Sequence, residues 1–487
     1  MPQDDAAARN AAGNALSAAG DFAAAAEQYR AAIALRPDVA EPHYNLGNML
    51  LLGEQPGEAE LCLRAALARQ PAHAGAHNNL GNALRAQGRH AEAIGCYQAA
   101  LALRPDYFGS SNNIGSALLA LHRPAEAVPY FEAALATRPD YAEACNNLGG
   151  AMLALARPAD AAMWFARAVT LDPGHVQARF GTALALLTQG DFAAGWQAYE
   201  ARWDNPQFSA DSPALAAARW SGDVGIAGCS VLLHAEQGLG DTIQFARFAP
   251  AVRALGARVV LSVPARLMTL LAPLADAVTD QAAAPPETDL HCPLMSLPLA
   301  FGTTLESIPP APYLRADPAR IAAWAARLGP RRRPRIGIAW SGSAEHPEDA
   351  LRSLPLADFL APMRGIDAEL HALQTDLPAA DEATLVATPD LTRHRDALPD
   401  FAETAALIAC MDMVISVDTS VAHLAGALGA PVWVLLQSSA DFRWMQHRAD
   451  TPWYPTMRLF RQARLLDWAP VLDRVGTALA DRLSGEA

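Results

Sequence analysis

Cysteine is scarce in this chain. The 487 residues include six, at positions 62, 96, 145, 229, 292 and 410. No two of them form a Cys-x-x-Cys pair or a zinc-like spacing, and six are too few for a disulfide scaffold in a chain of this length. We therefore expect small, buried thiol side chains and no metal site.

Long apolar runs and excess positive charge are also missing. No apolar run reaches the roughly 18 residues that a membrane span needs, and the N-terminal Met-Pro-Gln-Asp-Asp lacks the segments of a signal peptide. The 37 Lys and Arg residues are outnumbered by 51 Asp and Glu, which gives a formal net charge of −14. This balance argues against a nucleic-acid or anionic-membrane surface. We expect a soluble, cytoplasmic protein without a transmembrane segment.

Two common nucleotide-binding signatures are absent as well. The segment Gly238-Leu-Gly240-Asp241 lacks the three-glycine fingerprint of a dinucleotide site, and no Gly-Lys-Ser/Thr P-loop accompanies it. The sequence therefore supports neither NAD binding nor ATP hydrolysis.

The first 205 residues contain a repeat with a period of 34. Between each repeated glycine and proline lie two apolar stripes at helical spacing, separated by a polar turn. The pattern resembles the tetratricopeptide repeat, a pair of antiparallel helices. It predicts an all-α solenoid of five repeats and a degenerate sixth, in which Ala183 stands at the glycine position. The repeated residues are Gly13, Gly47, Gly81, Gly115 and Gly149, with Pro37, Pro71, Pro105, Pro139 and Pro173.

Asparagines recur along the first helix of the repeats. Side-chain amides can pair with an extended peptide backbone, and the concave face of such an array usually binds a peptide or protein segment. We predict peptide binding by the array, and the alternative is that some amides bond only to neighbouring repeats. The candidate peptide-binding residues are Asn45, Asn79, Asn113 and Asn147.

Residues 206–330 and 331–487 each alternate apolar strands with amphipathic helices, which predicts two α/β lobes. In the first lobe, the strand 230–234 leads into the turn that contains Gly238 and Gly240, whose backbone can approach a ligand closely. Asp241 falls just inside the following helix, which we expect to be amphipathic and to continue through Leu255. There its carboxylate can accept a proton from a hydroxyl, or it can simply stabilise the helix dipole.

Three polar clusters follow predicted strands of the second lobe, at the edge where open α/β sheets bind ligands. One of them lies at a helix start, a place that suits an anion such as a diphosphate, although its side chains also serve as ordinary helix caps. The clusters comprise Ser341, His346, Arg352 and Ser353; Glu403 and Thr404; and Asp418, Thr419, Ser420 and His423.

The stretch Val-Asp-Thr-Ser-Val-Ala-His-Leu-Ala-Gly-Ala-Leu-Gly-Ala-Pro, residues 417–431, is similar to the signature of the heptosyltransferases, glycosyltransferase family 9. With the Gly-Leu-Gly-Asp segment, the two lobes look like a glycosyltransferase of GT-B architecture. The whole chain, from about residue 10 to about residue 465, resembles bacterial TPR-containing glycosyltransferases, whose layout is similar to that of O-linked N-acetylglucosamine transferases.

This resemblance implies an inverting, metal-independent transferase that needs no cofactor. It would move a sugar from a nucleotide-sugar to a hydroxyl, on a protein or peptide held by the array. The first lobe would face the acceptor, with Asp241 as general base, and the second lobe would hold the donor. The family's phosphate-binding lysine has no counterpart in the 341–353 loop, so His346 or Arg352 would supply that charge.

The predicted nucleotide-sugar-binding set joins Gly238 and Gly240 of the first lobe to the three polar clusters of the second. Within it, the resemblance implies Ser341, Arg352, Ser353, Asp418, Thr419, Ser420 and His423. Two alternatives stay open: a TPR scaffold whose lobes bind a nucleotide-sugar without turning it over, and a transferase that acts on a glycan or lipid-linked acceptor.

Overall fold

The computed structural model describes residues 2–205, 215–343 and 349–485. The chain divides into two compact units, Met1–Gly181 and Thr182–Ala487. We describe each unit by itself. The boundaries predicted from the sequence, at residues 205 and 330, stay predictions.

The first unit consists of antiparallel helix pairs. Its helices are α1 (Pro2–Ala18), α2 (Phe22–Leu35), α3 (Ala40–Leu52), α4 (Pro56–Arg69), α5 (Ala74–Ala86), α6 (His90–Leu103), α7 (Phe108–Ala120), α8 (Pro124–Thr137), α9 (Ala142–Ala154), α10 (Pro158–Leu171) and the start of α11 (Val176–Gln189).

The glycine of each repeat is a packing requirement. A Cβ atom on Gly81 would lie 2.4 Å from Cε1 of Tyr97, and one on Gly115 would lie 2.5 Å from Cε1 of Phe131. Side chains at these positions would push apart the two helices of a pair, because real Cβ contacts are longer. The predicted tetratricopeptide solenoid is thereby confirmed.

The second unit begins with the end of α11 and α12 (Phe192–Tyr199) and continues into two parallel sheets. The first sheet has the strand order β1-β5-β2-β3-β4. Its strands are β1 (Ala218–Arg219), β2 (Ser230–His234), β3 (Arg258–Val263), β4 (Ala277–Asp280) and β5 (Leu290–Pro293); its helices are α13 (Leu239–Phe245), α14 (Ala249–Ala254), α15 (Ala265–Leu271) and α16 (Leu297–Ala300).

Helix α17 (Pro318–Leu328) leads into the second sheet, whose order is β11-β10-β9-β6-β7-β8. The two predicted Rossmann-like α/β lobes are confirmed. The strands are β6 (Arg335–Ala339), β7 (Glu369–Ala372), β8 (Leu391–Arg393), β9 (Met413–Val417), β10 (Val432–Leu436) and β11 (Met457–Arg461). The helices are α18 (Asp349–Arg352), α19 (Leu356–Phe359), α20 (Glu382–Ala387), α21 (Phe401–Ile408), α22 (Ser420–Leu428) and α23 (Ala469–Ser484).

One predicted helix is wrong in its length. The sequence predicts a single amphipathic helix through Leu255, but α13 ends at Phe245, a 3-10 turn follows over Ala246–Phe248, and α14 then begins. Pro250 lies in the first turn of α14, where its missing N–H group costs no hydrogen bond. In the middle of one continuous helix the same proline would remove an internal bond.

The sheets place two helix starts opposite each other. Helix α13 follows the carboxyl end of β2, and α22 follows the carboxyl end of β9, which is buried along its whole length. The two helices pack against each other, and Asp241 and Asp418 beside their starts remain 22% and 21% exposed. We call this partly exposed region at the two helix starts the cleft between the lobes. Within the described ranges, no helix combines the length and apolarity needed to cross a membrane.

Candidate functional site

Asp241 is held at the start of α13 by two contacts. Its Oδ2 atom accepts a hydrogen bond from the backbone N–H of Gly238 at 3.1 Å, which satisfies one of the unpaired donors of the helix start. Its Oδ1 atom accepts a hydrogen bond from Nη2 of Arg443, a residue of the second lobe. The side chain of Asp241 remains 22% exposed, so the carboxylate lies in an ion pair that borders the cleft.

Helices α13 and α22 approach each other closely at Gly240. A Cβ atom at this position would lie 2.8 Å from Cδ2 of His423 and 3.6 Å from Cα of Ser420. Glycine is therefore needed here because the two helices would otherwise overlap. This contact brings the Gly-Leu-Gly-Asp turn and the Asp418–His423 cluster to one place.

The start of α22 has no side-chain cap. Thr419 occupies the N-cap position, but its hydroxyl lies 3.1 Å from Oγ of Ser416 and makes no bond to a helix N–H group. The first N–H groups of a helix have no partner inside the helix, and those of Ser420 and Val421 point away from it at the positive end of its dipole. This geometry suits an anionic ligand.

Asp418 lies beside this helix start and accepts a hydrogen bond from Nε1 of Trp444 at 2.7 Å. Burial, and next the negative charge of Asp441, raise the pKa of Asp418 to about 6. The Trp444 hydrogen bond and the nearby arginines Arg352 and Arg443 act in the opposite direction. Near pH 6 Asp418 is therefore about half ionised, and the Trp444 hydrogen bond and the two arginines favour its ionised form.

His423 is 5% exposed and lies with its Nδ1 atom 3.0 Å from the hydroxyl of Tyr454. Burial, with the nearby positive charges of Arg443 and two further arginines, lowers the pKa of His423 well below its ordinary value. The ring is therefore neutral at pH 7. When the Tyr454 hydroxyl donates to Nδ1, the Nε2 atom carries the proton and can donate to a ligand.

Ser341 and Ser353, the two predicted serines of the 341–353 loop, make hydrogen bonds that position the loop. The Oγ atom of Ser341 accepts a hydrogen bond from Nε2 of Gln374 at 2.7 Å. Ser353 accepts from the backbone N–H of Gly342 at 2.9 Å and donates to Oδ1 of Asp349 at 2.8 Å. The Ser353 hydroxyl is therefore engaged within the loop, while Ser341 is held by Gln374, which follows β7; donor binding by these two serines stays a prediction.

Arg352, from the same loop, supplies a positive charge near the start of α22. Its Nε atom donates to Oδ1 of Asp349 at 3.3 Å, and its side chain is 19% exposed. Its positive charge reaches both Asp418 and His423. The predicted residue His346 lies in 344–348, outside the described residues.

The side chains of Glu403 and Thr404 make their hydrogen bonds away from the start of α22. The carboxylate of Glu403 accepts hydrogen bonds from Nε1 of Trp324 at 2.8 Å and from Arg320, both on α17. The Thr404 hydroxyl donates to the backbone carbonyl of Asp400 at 3.2 Å. The Glu403 contacts hold α21 against α17, and the Thr404 bond runs back one turn within α21. Donor binding by these two residues stays a prediction.

The asparagines of the array link successive repeats. Nδ2 of Asn79 donates to Oδ1 of Asn48 at 2.5 Å, and Nδ2 of Asn147 donates to Oδ1 of Asn112 at 3.0 Å. Asn45 and Asn113 make corresponding bonds to the repeat before them. The alternative role, bonding between neighbouring repeats, is thus present, and peptide binding by these residues stays a prediction.

Sequence reasoning missed Arg443, which lies in the loop after β10. Its side chain is only 8% exposed, and its Nη1 atom donates to Oδ1 of Asp441 at 2.6 Å. The available signal was an arginine between two aromatic residues, Phe442 and Trp444, just beyond a strand's carboxyl end.

A second missed arginine, Arg461, ends β11. Its Nη2 atom donates to the carbonyl oxygens of Trp444 at 3.0 Å and Met445 at 2.6 Å. Burial lowers the pKa of Arg461 to about 10, while Asp418 acts in the opposite direction. Arg461 thereby fixes the loop that carries Arg443.

The cleft therefore combines one carboxylate at the start of α13 with an uncapped helix start and two arginines on the opposite lobe. Such a site can hold an anion on one side and accept a proton on the other. Within the described ranges, no three His, Cys, Asp or Glu residues are grouped so that they could bind a metal ion.

Several segments of the chain match known protein families. Residues 397–461 match glycosyltransferase family 9 (heptosyltransferase). Tetratricopeptide-repeat families match residues 13–53, 73–138, 112–176 and 165–211. The chain thus carries tetratricopeptide repeats in its N-terminal region and a glycosyltransferase family 9 segment near its C-terminus. That segment includes the Asp418–His423 cluster and Arg443.

Among curated proteins, the chain is similar to Protein FlbA of Caulobacter vibrioides (strain ATCC 19089 / CIP 103742 / CB 15). The two are 29% identical over 340 residues, which are 62% of this chain and 55% of FlbA. The chain therefore spans about half the length of this relative.

Among solved structures, Pseudomonas aeruginosa PilF is 19% identical and matches 43% of this chain and 95% of its own, with a TM-score of 0.38. A thermophilic TPR protein of Thermus thermophilus, TTC0263, is 23% identical and matches 38% of this chain and 100% of its own, with a TM-score of 0.32.

Proposed function

We propose that the protein is a glycosyltransferase of GT-B architecture that moves a sugar from a nucleotide-sugar to a hydroxyl acceptor. One observation carries the proposal: Asp241 and the uncapped start of α22 border the same cleft, at the contact between Gly240 and His423. A proton acceptor on one side and an anion site on the other are the two groups that such a transfer needs.

The donor diphosphate would lie at the start of α22. The N–H groups of Ser420 and Val421 provide hydrogen-bond donors there, and the helix dipole favours negative charge. Arg352 adds a positive charge within reach of Asp418 and His423. The neutral His423 can donate one further hydrogen bond to a phosphate oxygen.

The acceptor hydroxyl would give its proton to Asp241 while its oxygen bonds to the anomeric carbon. The bond between that carbon and the donor diphosphate breaks at the same time, and the leaving diphosphate carries the resulting negative charge. Attack from the side of Asp241, opposite the diphosphate, inverts the anomeric centre. The helix start and the arginines stabilise the leaving group, so the proposed step uses no metal ion.

The acceptor we favour is a protein or peptide held by the tetratricopeptide array. The support is the class of the repeat, whose concave face usually binds extended segments. Asn45, Asn79, Asn113 and Asn147 line successive first helices and are half-buried. They remain the side chains that we propose for contact with the peptide backbone.

A second candidate function is a scaffold that binds a nucleotide-sugar without turning it over. The ion pair between Asp241 and Arg443 favours this alternative, because a carboxylate engaged by an arginine is a poorer proton acceptor than a free one.

A donor panel separates the candidates. The purified protein is incubated with a set of nucleotide-sugars, and released nucleotide is measured with and without a peptide mixture. We expect release that depends on the added peptides. Release only with a glycan or lipid-linked acceptor would contradict a protein acceptor, and donor binding without any release would favour the scaffold.

A further inference from the structure

Arg443 lies between the two halves of the candidate site. Its guanidinium donates to Asp241 on the first lobe and to Asp441 on its own loop. Its positive charge also acts on Asp418 and on His423, the residues that flank the start of α22. One buried cation is thus shared by the carboxylate on one side of the cleft and the anion site on the other.

The hydrogen-bonding capacity of Arg443 is not exhausted by these contacts. Its Nε atom is buried and has no hydrogen-bond partner among the described residues. A buried guanidinium is stabilised when each of its donors is used. A diphosphate oxygen is a strong acceptor for such a donor, and arginine binds phosphate groups through two parallel bonds.

The same geometry limits what Asp241 can do when the cleft is empty. An ion pair with arginine lowers the proton affinity of a carboxylate, so Asp241 is a weaker proton acceptor while it is paired with Arg443. Asp441 holds Arg443 in place from the other side. A ligand that competes for Arg443 would therefore break the Asp241–Arg443 ion pair without removing the arginine from the site.

We propose that Arg443 is a donor-binding residue whose engagement by the donor diphosphate releases Asp241 from its ion pair. The inference rests on the proposed function, because it assigns Arg443 to the diphosphate and Asp241 to the acceptor. Arg443 takes the place of the phosphate-binding lysine that the 341–353 loop lacks, and it couples occupancy of the donor site to activation of the acceptor.

Donor binding exchanges the Arg443–Asp241 hydrogen bond for one between Arg443 and a diphosphate oxygen. Asp241 then takes the acceptor proton, the acceptor oxygen forms its bond to the anomeric carbon, and the electrons of the broken bond remain on the diphosphate. Departure of the diphosphate and loss of the proton from Asp241 restore the original pair.

Inorganic pyrophosphate is the probe that tests this exchange without turnover. Calorimetric titration of the full chain at pH 7.5 compares the wild type with Asp241→Asn and Arg443→Gln. Because the Asp241 carboxylate competes with the probe, Asp241→Asn is expected to tighten binding by roughly 5- to 150-fold, the usual range of such coupling. Arg443→Gln is expected to weaken binding by roughly 10- to 100-fold, since a charge-assisted contact is lost.

A matched control is Asp276→Asn. Asp276 is an arginine-paired aspartate of the same lobe, 2.9 Å from Arg253, and is 32% exposed. Its substitution removes one negative charge without touching Arg443, and we expect an unchanged affinity. Arg443→Lys keeps the charge but not the paired donors, so its affinity should lie between those of the wild type and Arg443→Gln.

The outcomes distinguish this inference from the proposed function. If the wild type binds pyrophosphate but Asp241→Asn binds it no more tightly, the exchange is wrong while the donor site stands. If the wild type does not bind pyrophosphate, both are wrong. Should Arg443→Gln fail to fold, the Asp241→Asn comparison with its control still decides. Tighter binding by Asp241→Asn in a protein that transfers no sugar would support the exchange and contradict the transferase.

Discussion

Substitution of Gly240 by alanine tests the closeness of α13 and α22. The new methyl carbon would lie 2.8 Å from Cδ2 of His423, whereas ordinary contacts begin at 3.4 Å, so the two helices must part by about 0.6 Å. The His423 ring cannot easily move aside, because it bonds to Tyr454 at 3.0 Å and packs on Trp444 with a centroid distance of 5.2 Å.

The expected magnitude follows from two opposed effects. Overpacking of a buried contact costs about 1–3 kcal/mol, and removal of a helical glycine returns about 0.5–1 kcal/mol. We therefore expect Gly240→Ala to lower the free energy of unfolding of residues 182–487 by about 1.3 kcal/mol, the difference between the two mid-range values, and by about 2.5 kcal/mol at most. The suitable control is Gly225→Ala in the same unit, where an added Cβ meets nothing within 4 Å.

Urea denaturation followed by tryptophan fluorescence is an appropriate assay. All but one of the 10 tryptophans lie within residues 182–487, the exception being Trp164. The signal therefore reports mainly on the second unit. If Gly240→Ala is as stable as Gly225→Ala, the two helix starts are not in contact in solution, and the description of a shared cleft is wrong.

Three further predictions concern stability. Gly81→Ala puts a methyl group 2.4 Å from the Tyr97 ring and should lower the free energy of unfolding of the array by about 1–3 kcal/mol. The control Gly95→Ala, whose added methyl group meets nothing within 4 Å, should not lower it. Circular dichroism in urea measures the stability of both variants. Because the pKa of Asp418 is raised to about 6, this residue contributes a loss of stability as pH rises from about 4 to about 6. Asp418→Asn should therefore be more stable than the wild type by up to about 3 kcal/mol at pH 7 and equal to it near pH 4, and a constant difference between their pH profiles would contradict this. Burial lowers the pKa of His371 and of His394 to about 4, so these two groups contribute a loss of stability as pH falls from about 6.5 to about 4. A His394→Gln variant lacks one of these contributions, so its urea midpoint should rise relative to that of the wild type as pH falls through this range, and a constant difference between the two midpoints would contradict this.

The repeat array could be predicted in detail because its signals are local. Each repeat glycine is needed because of one close contact between the two helices of its pair, as between Gly115 and Phe131. The need for glycine therefore recurs with the period of the repeat. The inner strands were predictable for a related reason: β9 and β10 are buried on both faces and read as continuous apolar runs. Strands β1, β4 and β8 have two to four residues and no such run.

The site was only partly predictable. Asp241 and the Asp418–His423 cluster follow apolar strands, so position alone indicated them. Arg443 is 202 residues from Asp241 in the chain, and their pairing depends on how the two lobes close. Glu403 shows the opposite case: it follows the same positional rule, but Arg320 and Trp324 engage its carboxylate from a helix that the rule does not consider.

The proposed reaction depends above all on Asp241 as the proton acceptor. The most direct measurement is nucleotide release from a saturating nucleotide-sugar in the presence of acceptor, for the wild type and for Asp241→Asn. If Asp241 is the proton acceptor, the variant should bind the donor at least as tightly as the wild type but release nucleotide about 100-fold or more slowly. Undiminished release by Asp241→Asn would contradict it.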